Sequence, residues 1–290
     1  MRRRGPPGER DPETLLEFGV VNLDKPPGPS AHQVAAWVRD AAGVEQAAHA
    51  GTLDPKVTGC LPVLTGTATR AARLFDDAAK GYVAVLQLHG PKPTDLESTI
   101  AEFEGPIYQK PPRKSAVRRK LRIREIHSLD VVDTEGRQVL LSIECESGTY
   151  VRKLCHDIGL AAGVGAHMGD LRRTSSGIFD DRGLRTMEDL VDGIAFSRQD
   201  GDDELLRDVV QPAERVLEPL PSVTVAFSAA EQIAEGAPVY APGVLEHDDP
   251  ADGSLVACYT PDGAAVCLAT PVGDLDADSG TALELERVLV

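Results

Sequence analysis

The segment His49-Ala-Gly-Thr-Leu-Asp-Pro-Lys-Val-Thr-Gly-Cys60 holds a single carboxylate, Asp54, within a run of turn formers. Pro55 locks the backbone after Asp54, and Gly51 and Gly59 let the chain pass close to a ligand. A carboxylate held in this way can act as a nucleophile or a general base. The same residues also describe a plain Asx-Pro turn, which is what most lone Asp-Pro pairs are. A second stretch, Asn22-Leu-Asp-Lys-Pro-Pro-Gly-Pro-Ser30, has the same build, a polar head followed by rigid Pro/Gly geometry. Loops stiffened like this commonly carry catalytic groups. The five cysteines (Cys60, Cys145, Cys155, Cys258, Cys267) include no CxxC pair, which argues against a zinc ribbon and, at this length, a disulfide scaffold.

Neighbouring elements must hold these loops in place. Gly19 to Leu23 reads as a buried strand, and Ser30 caps a helix running to about Ala42 with Val34, Trp37, Val38 and Ala41 on one face. Tyr82 to His89 and Gln138 to Glu144 alternate as strands, and Thr149 to about Ala162 reads as a helix ended by Gly163. The texture changes near 200–220, where an acidic helix start or surface loop at 200–204 precedes Pro212, Pro219 and Pro221. Beyond it, Val223–Phe227, Leu255–Tyr259, Ala264–Leu268 and Ala282–Val290 read as short strands with one helix, Ala229–Ala234. This spacing predicts a small β-barrel of roughly 70 residues.

The chain of 290 residues is 42% hydrophobic and 26% charged, which supports a buried core and excludes wholesale disorder. No apolar run follows Met1-Arg-Arg-Arg-Gly-Pro-Pro, and no stretch nears the ~20 apolar residues that cross a bilayer, so a cytoplasmic protein is expected. The net charge of −16 is uneven: residues 200–290 hold 3 of the 30 basic residues and 19 of the 46 acidic ones, and residues 1–199 are balanced. Arginine outnumbers lysine 22 to 8. Few lysines and many acids suit a protein kept hydrated in a salt-rich cytoplasm, so a halophilic source is expected.

The strings Leu23-Asp-Lys-Pro-Pro-Gly28 and Gly51-Thr-Leu-Asp-Pro-Lys-Val-Thr-Gly59 resemble motifs I and II of the TruB/dyskerin family of RNA pseudouridine synthases. The likeness is to the archaeal form, the catalytic subunit of H/ACA guide-RNA particles. It continues through Lys80-Gly-Tyr-Val83, Gly148-Thr-Tyr-Val-Arg-Lys-Leu154 and Gly165-Ala-His-Met-Gly-Asp-Leu-Arg-Arg173, covering the chain from about residue 14. It implies an α+β fold: a flexible N-terminus at 1–13, a catalytic domain at 14–210 around a central mixed or antiparallel sheet, and a β-barrel PUA domain at 219–290. The chemistry implied is isomerisation of uridine to pseudouridine after base flipping, with no metal and no cofactor. Asp54 is then the nucleophile or base, Arg152 the cation beside it, and Tyr82 the ring that stacks on the flipped base. Tyr150 and Leu171 match the apolar floor under the target nucleotide, and His49 the histidine that helps hold it. Lys25 and Pro26 match motif I, with Lys25 counted among the substrate-binding residues as a support for the catalytic loop. One departure is Gly81, where the family pattern has Glu.

Eight basic residues and no acidic ones fall between Gln109 and Arg124. In so acidic a chain this fits a phosphate-binding strip, although pairing with the acidic C-terminal part would also use it. The resemblance makes it part of a thumb loop at about 92–122, with Arg118, Arg119 and Lys120 on substrate RNA. Arg172 and Arg173 are expected to touch the RNA backbone near the active-site floor. Gly236, Pro242 and Gly243 lie in a stretch matching the PUA segment that faces guide RNA. The implied partners are substrate RNA (tRNA at its T-loop uridine, or rRNA uridines chosen by an H/ACA guide RNA) and the small H/ACA proteins. Two rival readings remain, a catalytically silent RNA-binding scaffold in ribosome biogenesis and an aspartyl enzyme acting on a small nucleotide.

Overall fold

A computed structural model gives the fold, described here for residues 4–111 and 120–290. Ten strands form the first sheet: β1 Gly19–Lys25, β2 Ala47–His49, β3 Thr58–Thr65, β4 Lys80–Leu88, β5 Gly105–Gln109, β6 Arg122–Glu135, β7 Gln138–Cys145, β8 Ala166–Ser176, β9 Phe179–Asp180 and β10 Val210–Pro212. The main path runs β10-β1-β3-β8-β4-β7-β6-β5, with β2 paired to β3 and β9 to β8. The β3–β8 pair is parallel and the other pairs are antiparallel, so the sheet is mixed. The helices are α1 Pro12–Glu17, α2 Ala31–Ala42, α3 Leu96–Ala101, α4 Val151–Ala161, α5 Met187–Asp200 and α6 Glu204–Val209.

Local chemistry sets the ends of α2. The Ser30 hydroxyl accepts from Gln33 N, the Gln33 side chain accepts from Ser30 N, and Gly43 ends the helix at φ 73°. Ala31, Val34, Ala35, Val38 and Ala42 form its buried stripe. Trp37, expected on that stripe, is instead 47% exposed. It lies one position off the i, i+4 rows and ends on the rim of a cleft of about 490 Å³ lined also by Asp24, Pro26, Thr58, Arg172 and Met187.

The second sheet comprises β11 Ser222–Val225, β12 Val239–Tyr240, β13 Val244–His247, β14 Val256–Tyr259, β15 Ala265–Pro271 and β16 Thr281–Val288, with helix α7 at Phe227–Ala234. Its path is β12-β16-β15-β14-β11-β13. The two end strands of this path are joined by the single turn Ala241–Gly243, so the sheet closes on itself through the chain. Gly243 O accepts from Ala226 N at 2.8 Å and Gly280 O from Ala241 N at 3.0 Å, which pins the seam.

A flexible N-terminus at 1–13 is the expectation from sequence, but Arg4 and Arg10 are held in place by hydrogen bonds. Arg10 is buried and donates twice to Glu214, at 2.9 and 2.5 Å, and Glu214 also accepts from Ala265 N at 3.0 Å. Arg4 donates to the carbonyls of Leu289 and Ala265 and stacks over Phe18, 3.6 Å from the ring centroid. A buried guanidinium must be paired, and Glu214 sits where the chain passes to the second sheet, so residues 4–10 strap the two sheets together.

Candidate active site

Asp54 stands in the loop between β2 and β3, flanked by two apolar anchors, Leu53 and Val57, that are 4% and 3% exposed. Their burial fixes the loop on both sides of the carboxylate, and Val57 N donates to Asp54 O at 3.0 Å. Lys25, at the end of β1, is fully buried and donates from Nζ to the carbonyls of Pro26, Pro55 and Val57 at 2.9, 3.0 and 2.8 Å. Gly28 N donates to Pro55 O at 2.8 Å. The Asn22–Ser30 loop therefore grips the far limb of the Asp54 loop. Lys25 holds this loop from beneath; with its ammonium buried it does not reach a substrate.

The near limb is gripped from β8. Arg173 is 1% exposed and donates to Cys60 O at 2.7 Å and to Ala50 O and Gly51 O at 3.4 Å. This corrects the expectation that Arg173 contacts the RNA backbone: one guanidinium closes the two ends of the loop and is out of a phosphate's reach. Its neighbour Arg172, on the opposite face of the strand, forms a two-bonded pair with Asp24 at 3.0 Å in each bond. Gly51, at φ 92°, is needed where the loop crosses Arg173, because a Cβ there would come within 3.2 Å of Nη1.

Arg152, in the first turn of α4, forms an ion pair with Asp54. The side chains are 44% and 51% exposed, so the pair stands at the surface of a rigid base. Tyr82 lies on β4 opposite Arg173 and is 9% exposed. Burial raises its phenol above the usual range, and the Arg173 guanidinium opposes that shift. Leu171, half-buried on β8 opposite Ala84, lies against the core that also holds Tyr82. Tyr150 precedes α4, and its backbone is bracketed by Gln109, which accepts from Tyr150 N at 2.9 Å and donates to Tyr150 O at 3.2 Å. Gln109 ends β5, so the end of that strand is tied to the start of the helix carrying Arg152. His49 ends β2 half-buried, its Nδ1 without a hydrogen-bond partner, and its pKa is lowered first by burial, then by His32 and Arg173.

Other expected residues lie apart from this cluster. Lys120 is exposed, and Arg118 and Arg119 lie outside the described residues. Gly236, in the turn after α7, and Pro242, in the turn joining β12 to β13, are exposed. Gly243 packs against α7, where a Cβ would meet Ala229 Cβ at 2.8 Å. Gly81 has a local reason: a Cβ there would lie 2.4 Å from Ser175 Oγ. Lys80, Gln109 and Asp24 were not singled out by sequence. The signal for Lys80 was a lone cation opening an apolar alternation. No group of three or more His, Cys, Asp or Glu side chains suited to a metal ion occurs among the described residues, and no described helix is long and apolar enough to cross a membrane.

Three family descriptions match in order along the chain: the DKCLD (NUC011) domain at 4–35, the TruB family pseudouridylate synthase N-terminal domain at 39–95 and 89–151, and the tRNA pseudouridylate synthase B C-terminal domain at 152–218. A protein of the halophile Haloarcula marismortui, "Probable tRNA pseudouridine synthase B", is 63% identical over 100% of this chain and 94% of its own length. This chain belongs to the TruB family of pseudouridylate synthases. Its fold matches the crystal structure of a Cbf5-Nop10-Gar1 complex with a TM-score of 0.89 at 44% identity, covering 99% of this chain and 90% of that one. The structure of an H/ACA RNP bound to a substrate RNA containing 2′-deoxyuridine matches with a TM-score of 0.89 at 42% identity, with the same coverage. The TruB family and the Haloarcula relative agree with the motif reading and with the acidic, lysine-poor composition.

Proposed function

We propose that this TruB-family chain isomerises uridine to pseudouridine in RNA, with Asp54 as the reacting carboxylate. The observation that carries the assignment is the Asp54–Arg152 ion pair, held over a loop fixed by buried cations and apolar anchors. In the reaction the N1–C1′ bond breaks, the uracil turns, a C5–C1′ bond forms, N1 takes up a proton and C5 releases one. Arg152 keeps Asp54 ionised when RNA displaces water from the pair. The flipped uridine enters over Leu171, with the Tyr82 ring against the base and Tyr150 and His49 at its edges.

The proposed division places this chemistry in residues 14–210 and guide-RNA contact in residues 219–290, with Gly236 and Pro242 on the exposed side of the latter. The basic run through Lys120 serves substrate phosphates. The relatives' names and structures favour two substrates for this chain, tRNA and a guide-selected RNA, with small H/ACA proteins as partners; the proposed compartment is the cytoplasm. To test the assignment, unmodified tRNA and a guide–target RNA pair, each tritiated at uridine C5, are incubated with the protein, with and without the partner proteins. Tritium release from either RNA supports it. RNA binding without release from either would make the chain a silent scaffold.

A further inference from the structure

Three fully buried cations lie beneath the Asp54 loop: Lys25, Lys80 and Arg173, at 0%, 4% and 1% exposure. Among the described residues none is in an ion pair with a carboxylate, and each is satisfied by backbone carbonyls. Lys25 and Arg173 bond to the loop directly. Lys80 does not: its ammonium donates to Phe75 O at 3.0 Å and Ala78 O at 2.7 Å, while its stem lies under Gly51. A Cβ on Gly51 would come within 3.2 Å of Arg173 Nη1 and 3.5 Å of Lys80 Cε, so the two side chains share the seat of the loop's first limb.

We propose that Lys80 is a positioning residue for the isomerisation, acting through Arg173: seated beside it under Gly51, Lys80 directs the guanidinium onto the carbonyls of Ala50, Gly51 and Cys60 and so sets where Asp54 stands. The inference rests on the activity proposed above. Packing alone does not call for a cation here. An unbranched apolar side chain would fill the same space without bringing a charge out of water. A positive charge next to a guanidinium repels it, and Arg173 turns its donors to the loop carbonyls of Cys60, Ala50 and Gly51, with the Tyr82 hydroxyl as a further partner. Burial, and secondarily Arg173, lower the Lys80 ammonium to about 8. The other groups facing it are Arg173, Cys145, Asp76 and Cys60; burial pushes the two thiols up to about 11 and 12. Burial lowers the Lys25 ammonium under the loop as well; Lys80 is the lysine beside Arg173, losing its charge near pH 8, and the Lys80→Arg profile separates the two.

The test is the single-turnover isomerisation rate and RNA affinity of the wild type, Lys80→Met and Lys80→Arg between about pH 6.5 and 9.5. The wild-type rate falls through about pH 8 at unchanged affinity, and Lys80→Arg carries its rate to higher pH. Lys80→Met loses roughly 10²-fold in rate at every pH, with affinity within a few-fold, as a misplaced reacting group does. Ionisation of the RNA itself would appear in all three proteins alike. A wild-type rate that stays flat, or one that falls identically in Lys80→Arg, overturns the proposal, as does a Lys80→Met loss confined to affinity. Should Lys80→Met not fold, the wild-type and Lys80→Arg profiles decide the matter. Tritium release by the wild type separates the two claims: an active but pH-flat enzyme refutes the role of Lys80 alone, and an inactive one refutes the activity and with it the role.

Discussion

Asp54 and Arg152 meet in an ion pair about half exposed on each side, directly above a base of buried cations and apolar anchors. In water such a pair contributes only ~0–1 kcal/mol, because both charges remain solvated. When RNA covers it, the same pair interacts in a drier medium and grows stronger. The free protein thus holds the Asp54 carboxylate on a fixed base with little stability invested in the pair.

Replacing Arg152 with Gln should therefore leave the thermal midpoint nearly unchanged. The single-turnover rate should fall by roughly 10²–10³, the scale of losing one charge-stabilising donor. Stopped tritium-release assays and a melting curve on the same preparation check this. A large drop in melting temperature with little change in rate would make Arg152 a structural residue.

The Arg10–Glu214 pair sits at the other extreme, with side chains 0% and 11% exposed. Arg10→Met strands the Glu214 carboxylate, and breaking a buried pair in this way costs about 3–5 kcal/mol. Denaturant unfolding should show that loss. A change under about 1 kcal/mol, the range of exposed pairs, would mean that residues 4–10 do not strap the sheets in solution.

Much of this arrangement is legible in the chain. Ser30 marks the start of α2, and the strands expected at Gly19–Leu23, Tyr82–His89 and Gln138–Glu144 overlap β1, β4 and β7. The carboxylate and its loop stand out by their Pro and Gly residues. The 166–176 strand carries no strand signal in sequence, because Gly169, Asp170, Arg172 and Arg173 give it the polarity of a loop. Its alternation sends Arg172 to Asp24 at the surface and Arg173 into the interior, and two adjacent arginines carry no mark of which goes where. Likewise His49 and Thr58–Cys60 read as loop although they end β2 and begin β3; Gly59, at φ 96°, pairs with Lys25 and Arg173, and Arg173 O leaves no room there for a Cβ. Sequence points to Asp54 and to Lys25 as a support of its loop; the seating of that loop by Lys80 and Arg173 becomes visible only when the strands are paired.

The basic run gives a salt prediction. Arg118, Arg119 and Lys120 changed together to Ala should weaken substrate binding and reduce the slope of log affinity against log salt by roughly one unit per lost phosphate contact on duplex RNA, somewhat less on single strands. Guide-RNA binding should change little. KCl titrations read both. An unaltered substrate slope would return the run to pairing with the acidic C-terminal residues.

His49 gives a pH prediction. Burial holds its imidazole pKa below 6.5 in the folded protein. Below pH 6.5 the unfolded chain therefore binds a proton that the folded one does not, so the contribution of His49 is present above 6.5 and is lost as pH falls. Melting temperatures at about pH 7.5 and 5.5 should differ less in His49→Gln than in the wild type. An equal difference in the two proteins would place His49 in water rather than against Arg173.

The most direct test of the central claim is the rate of C5 tritium release by Asp54→Asn, measured beside its RNA affinity. The amide keeps the shape of the side chain and removes the carboxylate proposed to react. The predicted result is a loss of about 10³-fold or more in rate with affinity within a few-fold of wild type. Retention of more than about a tenth of the wild-type rate would contradict the assignment of Asp54, since loss of a reacting group leaves far less.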